Sequence, residues 1–493
     1  MRNNMFRVIA LFMAGMLTFS LAGCKSSDTS SLSDEYEIIY QYEDGEDGNV
    51  NEVGNVTGNN TNADGTNSSG NKTSASAKTS NNSSSGSKKP SGKGAATTVN
   101  AGVNPQDYDG TSITFATWSD PGLHEDGPVV KAFEKKYGIK VKVDLMDESN
   151  YVNTVLGRIA SGNAPDVFFC TYTFPYCLKA LQPLDAAKLD LSESIWDKPL
   201  INLATINGKS YLVDTVGNIW KDQDMVFYNK KLFKANGWTT PEEYYKAGKW
   251  TFAAMKDCMQ KVASLGTDYI GGAVNLEGLL GSTGSGIFNY SNGKFSNGST
   301  NSTTKAVMRW ASEGMKEGWL RTTSHYQSIN YFPEGKTGIA VVHSYGLKNN
   351  GFFRKMNVND IGFTYLPSWK EGSAATPTSF VRGWGICEGA KNPVAAGIFL
   401  RYYLDVNNYD TKSAFINSEA ESFFFKLTST QTDKKHFYFC MGSGVEGVTG
   451  SSSCVGEYIS SVTTGDPGQL DKTIKSYQNK LNSDIAKLNG LLK

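Results

Sequence analysis

The sequence predicts an α/β protein built as two lobes, and three observations lead to this prediction. The stretch Ile113–Leu145 has the pattern strand, helix, strand with short connections, which is typical of parallel pairing and a right-handed crossover. The stretch Tyr151–Cys170 adds an amphipathic helix that stops at Gly162 and Pro165, followed by a short apolar strand. The chain has 493 residues, more than one typical core accommodates, so we expect two lobes.

The chain opens with the pattern of a bacterial secretion signal. Arg2 and Arg7 precede the apolar run Val8–Leu17, which is too short for a stable membrane span. The motif Leu-Ala-Gly-Cys, ending at Cys24, resembles the lipobox of bacterial lipoproteins, in which the cysteine becomes the lipidated first residue. We therefore expect a signal peptide over residues 1–23 and a lipid anchor on Cys24, with an ordinary cleaved leader as the alternative. Several acyl chains on one residue anchor a protein durably, whereas one chain binds only marginally.

Residues 24–108 are predicted to form a disordered linker that begins with the lipidated cysteine. The Ser/Asn/Gly/Thr tract that runs to about Asn100 has too few apolar residues to offset the entropy lost on ordering. As a flexible coil, roughly 75 residues would span about 45–50 Å. The linker is thus expected to lift the folded body off the membrane. Docking of the acidic, partly aromatic segment Asp34–Asp47 to a partner is the alternative.

Charge and composition exclude several classes of function. The 48 basic and 48 acidic residues balance, and loss of a leader with two arginines leaves a net charge of −2. Such a balance argues against nucleic acid or an anionic membrane surface as the partner. Aromatic residues make up 12% of the chain and histidine only four residues, a composition closer to a stacking binder than to a metal site or an acid–base enzyme.

Motifs for cofactors, metals and common nucleophiles are missing from the sequence. Gly335-Lys336-Thr337 resembles the end of a phosphate-binding loop, but its first glycine would fall at position 330, which is Asn330. The four histidines lack ligand spacing, and no nucleophile elbow, zinc-protease motif or Cys-x-x-Cys occurs. We expect no cofactor, no metal and no catalytic residue. A glycosidase with paired carboxylates is the remaining enzymatic alternative, because its two acids need not be neighbours in the chain.

Further elements follow from periodicity and from capping or turn residues. The predicted elements are Thr240–Lys246 (helix), Trp250–Leu265 (helix), Asp268–Val274 (strand), Leu276–Thr304 (loop), Thr304–Glu317 (helix) and a mostly helical remainder after Leu404 with a loop around Met441–Glu457.

Several of these segments resemble a known family in order and spacing. The segment ASGNAPDV, which ends at Val167, resembles the "ASGxAPDV" segment of extracellular solute-binding proteins of ABC importers, the branch that includes maltose-binding protein. Asn207–Asn218 with the following VFYNK, Phe332–Asn349, and Ile361–Pro367 with Gly383–Leu404 resemble later segments of that family, so the resemblance covers about residues 112–404. The family's proline near the first hinge is absent, because Asp214 and Thr215 occupy that region.

The resemblance implies a two-lobed, periplasmic-binding-protein-like (type II) fold with a hinge and a ligand cleft between the lobes. We expect residues 109–216 plus about 361–404 to form the N-terminal lobe and residues 217–360 plus about 405–493 the C-terminal lobe, with the first hinge near Thr215–Asn218.

The implied function is capture of a carbohydrate, with an oligosaccharide as the expected ligand. The protein is expected to be a monomer that a lipid anchors on the extracellular face of a bacterial cell membrane. The ligand would be delivered to an ABC permease. The alternatives are a peptide or other small solute, a sensor subunit for a membrane kinase, and a secreted glycan hydrolase.

A sugar presents apolar faces and hydroxyl edges, so its binder needs aromatic rings and polar groups together. Such residues are expected at predicted strand ends, after the hinge, and where the family presents ligand-facing aromatics. For each aromatic the alternative is packing in the core. The predicted ligand-binding residues are Trp118, Ser119, Asp120, Thr171, Tyr172, Trp220, Tyr345 and Trp384.

Six cysteines follow Cys24, and outside the cell they can pair. Cys440 and Cys454 flank a loop and are the best candidates for a disulfide, whereas Cys170 is predicted to pack as a small apolar residue.

Overall fold

A computed structural model describes residues 102–118, 127–323, 332–429, 435–439, 443–450 and 454–493. The predicted signal peptide, Cys24 and most of the linker lie outside the described residues, as do Ser119, Asp120 and Cys440.

In chain order, the strands are β1 (Ser112–Thr117), β2 (Lys140–Leu145), β3 (Val167–Thr171), β4 (Leu181–Gln182), β5 (Thr205–Ile206), β6 (Lys209–Ser210), β7 (Asp224–Asn229), β8 (Ile270–Asn275), β9 (Phe288–Ser291), β10 (Lys294–Asn297), β11 (Leu320–Thr323), β12 (Thr337–His343), β13 (Ile361–Thr364), β14 (Thr378–Phe380), β15 (Arg382–Cys387) and β16 (His436–Tyr438).

The α-helices are α1 (Pro128–Tyr137), α2 (Tyr151–Ala160), α3 (Lys198–Leu203), α4 (Lys230–Ala235), α5 (Pro241–Lys246), α6 (Phe252–Ala263), α7 (Leu276–Gly281), α8 (Ser302–Glu317), α9 (Pro393–Tyr403), α10 (Ser418–Thr428), α11 (Ser443–Thr449), α12 (Cys454–Thr464) and α13 (Leu470–Leu491).

The first sheet has the strand order β2-β1-β3-β15-β4. Strands β1, β2 and β3 run parallel, as the sequence predicted, while β15 runs antiparallel to its neighbours β3 and β4. Helix α2 ends at Ala160, and Gly162 then takes a positive φ of 74°, a conformation that glycine adopts without steric cost. Every residue of β3 is buried, so this strand lies inside the lobe.

The second sheet has the strand order β11-β8-β12-β7-β13. Strands β8, β11 and β12 are parallel, and β7 runs antiparallel between β12 and β13. The α/β class with two sheets in separate lobes is therefore confirmed.

The strand pairing differs from one expected lobe boundary. Ile361–Thr364 was expected to begin the return to the N-terminal lobe, but it pairs with β7 in the second sheet. The chain rejoins the first sheet only at Arg382, where β15 begins. A four-residue apolar strand carries no signal for which of two sheets it joins, because both partners lie far away in sequence.

The first passage between the sheets follows Val213, which bridges to Trp384 in the first sheet. The chain enters the second sheet at Asp224. The predicted hinge at Thr215–Asn218 lies within this connection.

The segment predicted as a loop over Leu276–Thr304 contains ordered structure instead. It holds α7 and the antiparallel hairpin β9–β10. Asn292 and Gly293 have φ angles of 51° and 72°, which is the geometry of a tight hairpin turn. The loop expected around Met441–Glu457 likewise contains α11 and the start of α12. Both segments were predicted as loops because they are rich in glycine and serine, although they also contain turn and helix signals.

The described helices include none that is long and apolar enough to cross a bilayer.

Candidate functional site

The candidate site lies where the carboxyl ends of the two parallel strand sets meet. Tyr172 directly follows β3 in the first sheet, and His343 ends β12 in the second. The Tyr172 hydroxyl lies 3.4 Å from Nε2 of His343. In open α/β sheets, ligands bind beyond the carboxyl ends of the strands, so this junction is the expected place for a ligand.

Aromatic rings line the junction. The ring of Tyr172 stacks on Phe380 with centroids 4.1 Å apart. His343 meets Phe380 edge-on at 5.4 Å and Phe352 at 4.9 Å. Phe352 in turn contacts Tyr345 at 5.1 Å. These contacts join the two lobes through a continuous aromatic cluster, in which Phe380 and His343 are buried.

A buried charged group lies beside these rings. Asp222, in the connection between the sheets, forms an ion pair with Arg382, the first residue of β15. The second carboxylate oxygen of Asp222 lies 3.3 Å from Nδ1 of His343. Burial alone would raise the pKa of Asp222, but the charges and hydrogen bonds of His343 and Arg382 outweigh it and hold the pKa well below its ordinary value. We call Tyr172, Asp222, His343, Phe380 and Arg382 the seam cluster.

A second ion-pair network lies next to the seam cluster. Lys221 Nζ lies 2.5 Å from Asp197, and Lys435 Nζ lies 3.7 Å from the same carboxylate oxygen. All three side chains are buried or nearly so. Burial opposes ionisation of Asp197, but the two lysines lower its pKa to about 2. Asp197 precedes α3 and Lys435 precedes β16, so this network ties together segments that are far apart in the chain.

Asp224 and Glu277 form a pair of buried carboxyl groups near the same edge of the second sheet. Asp224 begins β7 and is 1% exposed, while Glu277 lies in the first turn of α7 and is 6% exposed. The described residues offer no hydrogen-bond partner at ordinary distance to either carboxylate oxygen of Asp224 or to Oε2 of Glu277. Burial raises the pKa of each to about 8, with the charge of Asp222 contributing at Asp224 and that of Asp224 at Glu277. We call these two residues the acid pair.

Three of the residues predicted from sequence lie at or next to this junction. Tyr172 belongs to the seam cluster, and Thr171 is buried directly before it, paired in register with Arg382. Tyr345 lies on the far side of Phe352, and its hydroxyl donates to the Asn350 carbonyl at 2.9 Å.

Trp118 is placed less directly. It follows β1 at the same sheet edge, is half-buried, and packs against the main core.

The structure contradicts the expectation of a ligand-facing Trp384. Its side chain is 0% exposed, and its ring packs 5.2 Å from Phe169 and 6.0 Å from Tyr403 in the core of the first lobe. Side chains alternate along a strand, so Trp384 lies on the same face of β15 as Arg382. It is two residues further along the strand, inside the lobe. Trp220 likewise packs against this core, with its ring 6.4 Å from Tyr409. For these two tryptophans the alternative of core packing describes the structure.

Sequence reasoning missed four members of the seam cluster: Asp222, His343, Phe380 and Arg382. His343 and Arg382 are each two residues before an aromatic that we did select, and each stands at the end of its strand. Selecting polar as well as aromatic residues at strand ends would have identified both His343 and Arg382. Asp222 lies in the first connection between the lobes and Phe380 ends the three-residue strand β14, and no local pattern marks either residue.

The site combines donors, an acceptor and ring faces. Arg382, His343 and Tyr172 supply hydrogen-bond donors, and Asp222 supplies an acceptor. Among the residues that the structure describes, no three metal-ligating side chains come together. The arrangement suits a ligand with polar edges and apolar faces.

Comparison with known proteins identifies the family. The model of the bacterial extracellular solute-binding protein family matches residues 122–406, which is more than half of the chain. The chain therefore belongs to the bacterial extracellular solute-binding protein family, whose members bind solutes and are not enzymes. No curated protein matches the sequence.

Solved structures share the fold at low sequence identity. The extracellular solute-binding protein from Staphylococcus aureus in complex with maltose has a TM-score of 0.57 and 18% identity, over 76% of this chain and 98% of that one. A cyclo/maltodextrin-binding protein complexed with maltotetraose has a TM-score of 0.57 and 16% identity, over 75% and 97%. An ABC substrate-binding protein from Listeria monocytogenes in complex with cycloalternan has a TM-score of 0.54 and 16% identity, over 76% and 98%.

Proposed function

We propose that this protein captures a carbohydrate between its two lobes and delivers it to an ABC permease while a lipid on Cys24 holds it to the outer face of the cell membrane. The observation that carries the proposal is the seam cluster, in which aromatic faces and charged hydrogen-bonding groups from both lobes meet at the facing strand ends. A ligand that contacts both lobes stabilises their closed arrangement, and such a population shift needs no chemistry.

The residue types support a sugar rather than an apolar or anionic ligand. Tyr172 is half-buried and stacks on the buried Phe380, and an aromatic ring held in this way suits the C–H face of a pyranose. Asp222 and Arg382 offer an acceptor and several donors for hydroxyl groups. The fold neighbours complexed with maltose, maltotetraose and cycloalternan support the same ligand class. Trp118, Ser119, Asp120 and Tyr345 remain proposed contacts at the edge of the site.

A peptide or another small solute is the second candidate ligand. The acid pair favours it, because two buried carboxyl groups beside the seam cluster would accept hydrogen bonds from an amine or amide as readily as from hydroxyls. The ligand panel must therefore include both classes.

The test is a thermal-shift screen of the protein against maltose, maltotetraose, cycloalternan and a set of short peptides. A ligand that binds only the folded state adds about 2.7 kcal/mol of stability at a hundredfold excess over Kd, which raises the midpoint measurably. We expect a shift with a saccharide, and we expect the substitution Tyr172→Asn to weaken saccharide affinity about tenfold, since it removes the stacked ring. Asparagine tolerates the positive φ of 56° at this position, so the backbone need not change.

The matched control is Tyr245→Asn, which removes an exposed tyrosine on α5 whose ring packs 4.7 Å from Tyr365. A shift with peptides alone would transfer the function to the second candidate. Saccharide binding that is equal in the wild type and in Tyr172→Asn would place the site elsewhere.

The anchor and the permease need separate experiments. Lipidation predicts that the protein fractionates with membranes and that Cys24→Ser releases it, which mass spectrometry of the processed N-terminus checks directly. Delivery predicts saccharide-dependent stimulation of the ATPase of a reconstituted importer by the wild type and weaker stimulation by Tyr172→Asn. Stimulation of a kinase instead would make the protein a sensor subunit.

A further inference from the structure

Two buried cysteines lie on either side of Tyr172 in the chain. Cys170 belongs to β3, and Cys177 belongs to the 3₁₀ helix Tyr176–Ala180 that follows it. Both side chains are 0% exposed, and their Sγ atoms lie 3.4 Å apart. Two thiols in contact inside the core thus enclose the short segment that carries a member of the seam cluster.

The geometry of this thiol pair is close to that of a disulfide. A disulfide joins sulfur atoms about 2.05 Å apart, so the two Sγ atoms need to approach each other by about 1.4 Å. The backbone between them is already turned, because the N–H of Cys177 donates to the carbonyl of Thr173 at 2.9 Å. The Thr173 hydroxyl also donates to Sγ of Cys170 at 3.4 Å. Closing the bond therefore requires an adjustment within this turn.

The location and the spacing of the two cysteines favour oxidation. Disulfides form and persist outside the cell, and the chain belongs to an extracellular protein family. A buried thiol is inert, and burial raises the pKa of Cys177 well above its usual value, so the bond has to form before the segment packs. The two cysteines are seven positions apart, and a loop of this size closes in about 10–100 ns. The thiols therefore meet early in folding, while an oxidant still reaches them.

We propose that Cys170 and Cys177 form a disulfide that holds Tyr172 in place in the seam cluster. The oxidant is an extracytoplasmic dithiol–disulfide oxidoreductase, which acts by thiol–disulfide exchange. The thiolate of one cysteine attacks the disulfide of the oxidoreductase, which breaks that bond and forms a mixed disulfide. The second thiolate then attacks the sulfur of the first cysteine and closes the new bond. The oxidoreductase leaves as a dithiol, which carries the two protons that the cysteines gave up.

Tyr172 needs support because its backbone is strained. Its φ is 56°, in the left-handed region that residues other than glycine rarely adopt. Its carbonyl accepts the N–H of Gly444 at 2.9 Å, and its ring stacks on Phe380. Covalent closure of the turn removes other conformations of the segment, so less order remains to be imposed when a ligand binds. This consequence for affinity rests on the proposed function, whereas the disulfide itself does not.

The first test is mass spectrometry of the full protein after secretion by a bacterial host. Free thiols are alkylated under denaturing conditions without reductant, and the protein is then cut with trypsin. Arg158 and Lys179 place both cysteines in one tryptic peptide, residues 159–179. We expect this peptide to carry no alkyl group and to be two hydrogens lighter than its reduced form. Alkylation of both cysteines, or a bond from either one to Cys387, overturns the proposal.

The second test measures the effect of the bond on the segment that it encloses. Amide hydrogen exchange over residues 171–176 is compared between the oxidised protein and the same protein after unfolding and refolding in dithiothreitol. We expect exchange about tenfold faster in the reduced protein, and a melting midpoint about 3 °C lower. Equal exchange in the two forms overturns the positioning of Tyr172.

Two variants accompany this comparison. Cys170→Ala combined with Cys177→Ala cannot form the bond, so exchange over residues 171–176 should be fast with and without dithiothreitol. A response of this variant to the reductant would assign the effect to other cysteines and overturn the proposal. The same variant supplies the comparison if the reduced wild type does not refold. Cys258→Ala removes another buried thiol, in α6, and is the matched control, in which this segment should exchange at the wild-type rate.

The last measurement is the affinity for maltotetraose. Reduction should weaken binding to the wild type about threefold and leave binding to Tyr172→Asn unchanged, because the ring that the disulfide positions is then missing. Equal affinity of the oxidised and the reduced wild type contradicts the positioning of Tyr172. Absence of maltotetraose binding counts against the proposed function alone, since the mass of peptide 159–179 and its hydrogen exchange decide on the disulfide without any ligand.

Discussion

The acid pair predicts an unusual dependence of stability on pH. The pKa of Asp224 lies near 8 in the folded protein against an ordinary value of 3.8. The folded protein therefore keeps a proton on Asp224 between about pH 4 and pH 8 that the unfolded chain has released. When the folded state binds more protons than the unfolded state, the free energy of unfolding falls as pH rises. Stability contributed by this group is thus full near pH 4 and is lost progressively up to about pH 8.

The structure sets the size of the effect. Each pKa unit corresponds to about 1.4 kcal/mol, so the difference between 3.8 and about 8 gives a ceiling of about 6 kcal/mol. Entry of water into the seam upon ionisation reduces this cost, and we expect about 2 kcal/mol between pH 4.5 and pH 8.5. The substitution Asp224→Asn keeps the shape of the side chain and removes the ionisation. The variant should be about as stable as the wild type at pH 4.5 and about 2 kcal/mol more stable at pH 8.5.

The assay is urea denaturation of both proteins at four pH values from 4.5 to 9, with the slope of unfolding free energy on urea checked for constancy. Asp268→Asn provides the control, because this exposed carboxylate lies on the same lobe and pairs with Lys336 at 3.3 Å on the surface. Glu277→Gln should reproduce the effect, since burial and the charge of Asp224 raise its pKa to about 8 as well. A difference between the wild type and Asp224→Asn that stays constant across the pH range would refute the reasoning.

Two further predictions concern stability. Lys348 is 2% exposed, its Nζ lies 3.5 Å and 3.9 Å from the ring centroids of Phe415 and Phe424, and it has no hydrogen-bond partner among the described residues. Burial holds the pKa of Lys348 well below its usual 10.5, so the stability of the wild type should rise as the pH approaches 10.5. Lys348→Met should be about 1–2 kcal/mol more stable than the wild type at pH 7, and this gain should shrink by pH 10. Equal denaturant midpoints of the two proteins at pH 7 would contradict this. Thr240 and Glu243 form a reciprocal capping box on α5, so Thr240→Ala should cost about 1 kcal/mol, and an unchanged melting midpoint would show that this short helix does not unfold with the rest.

Much of the first sheet could be predicted from sequence because its signals are local. The alternation in β1 and β2, the helix stop at Gly162 and the apolar run of β3 each depend on a few neighbouring residues. In the second sheet, β8 was predicted from its own residues and β12 and β13 from the family resemblance, whereas β11 was not predicted. The partner of Ile361–Thr364 could not be predicted, since pairing between distant strands is decided by tertiary packing.

The candidate site was harder to predict, and the reason is geometric. An aromatic residue at a strand end and one inside a core look the same in sequence, so Tyr172 and Trp384 received the same assignment although one is in the seam and the other is fully buried. The charged members of the seam cluster come from a connection and two strand ends, and only the assembled fold brings them together.

The position of β15 in the first sheet has a consequence for biosynthesis. This strand lies in the interior of the sheet, between β3 and β4, yet about 210 residues separate Thr171 from its partner Arg382. While the chain is being made or secreted, the apolar edge of β3 stays without its neighbour until almost four-fifths of the protein has emerged. Such an edge templates pairing with other chains, so we expect the nascent protein to need a holding chaperone. For the same reason, cutting the chain at the first connection would not yield a lobe that folds alone, whereas fusing residues 382–404 to the first segment would restore the missing strand.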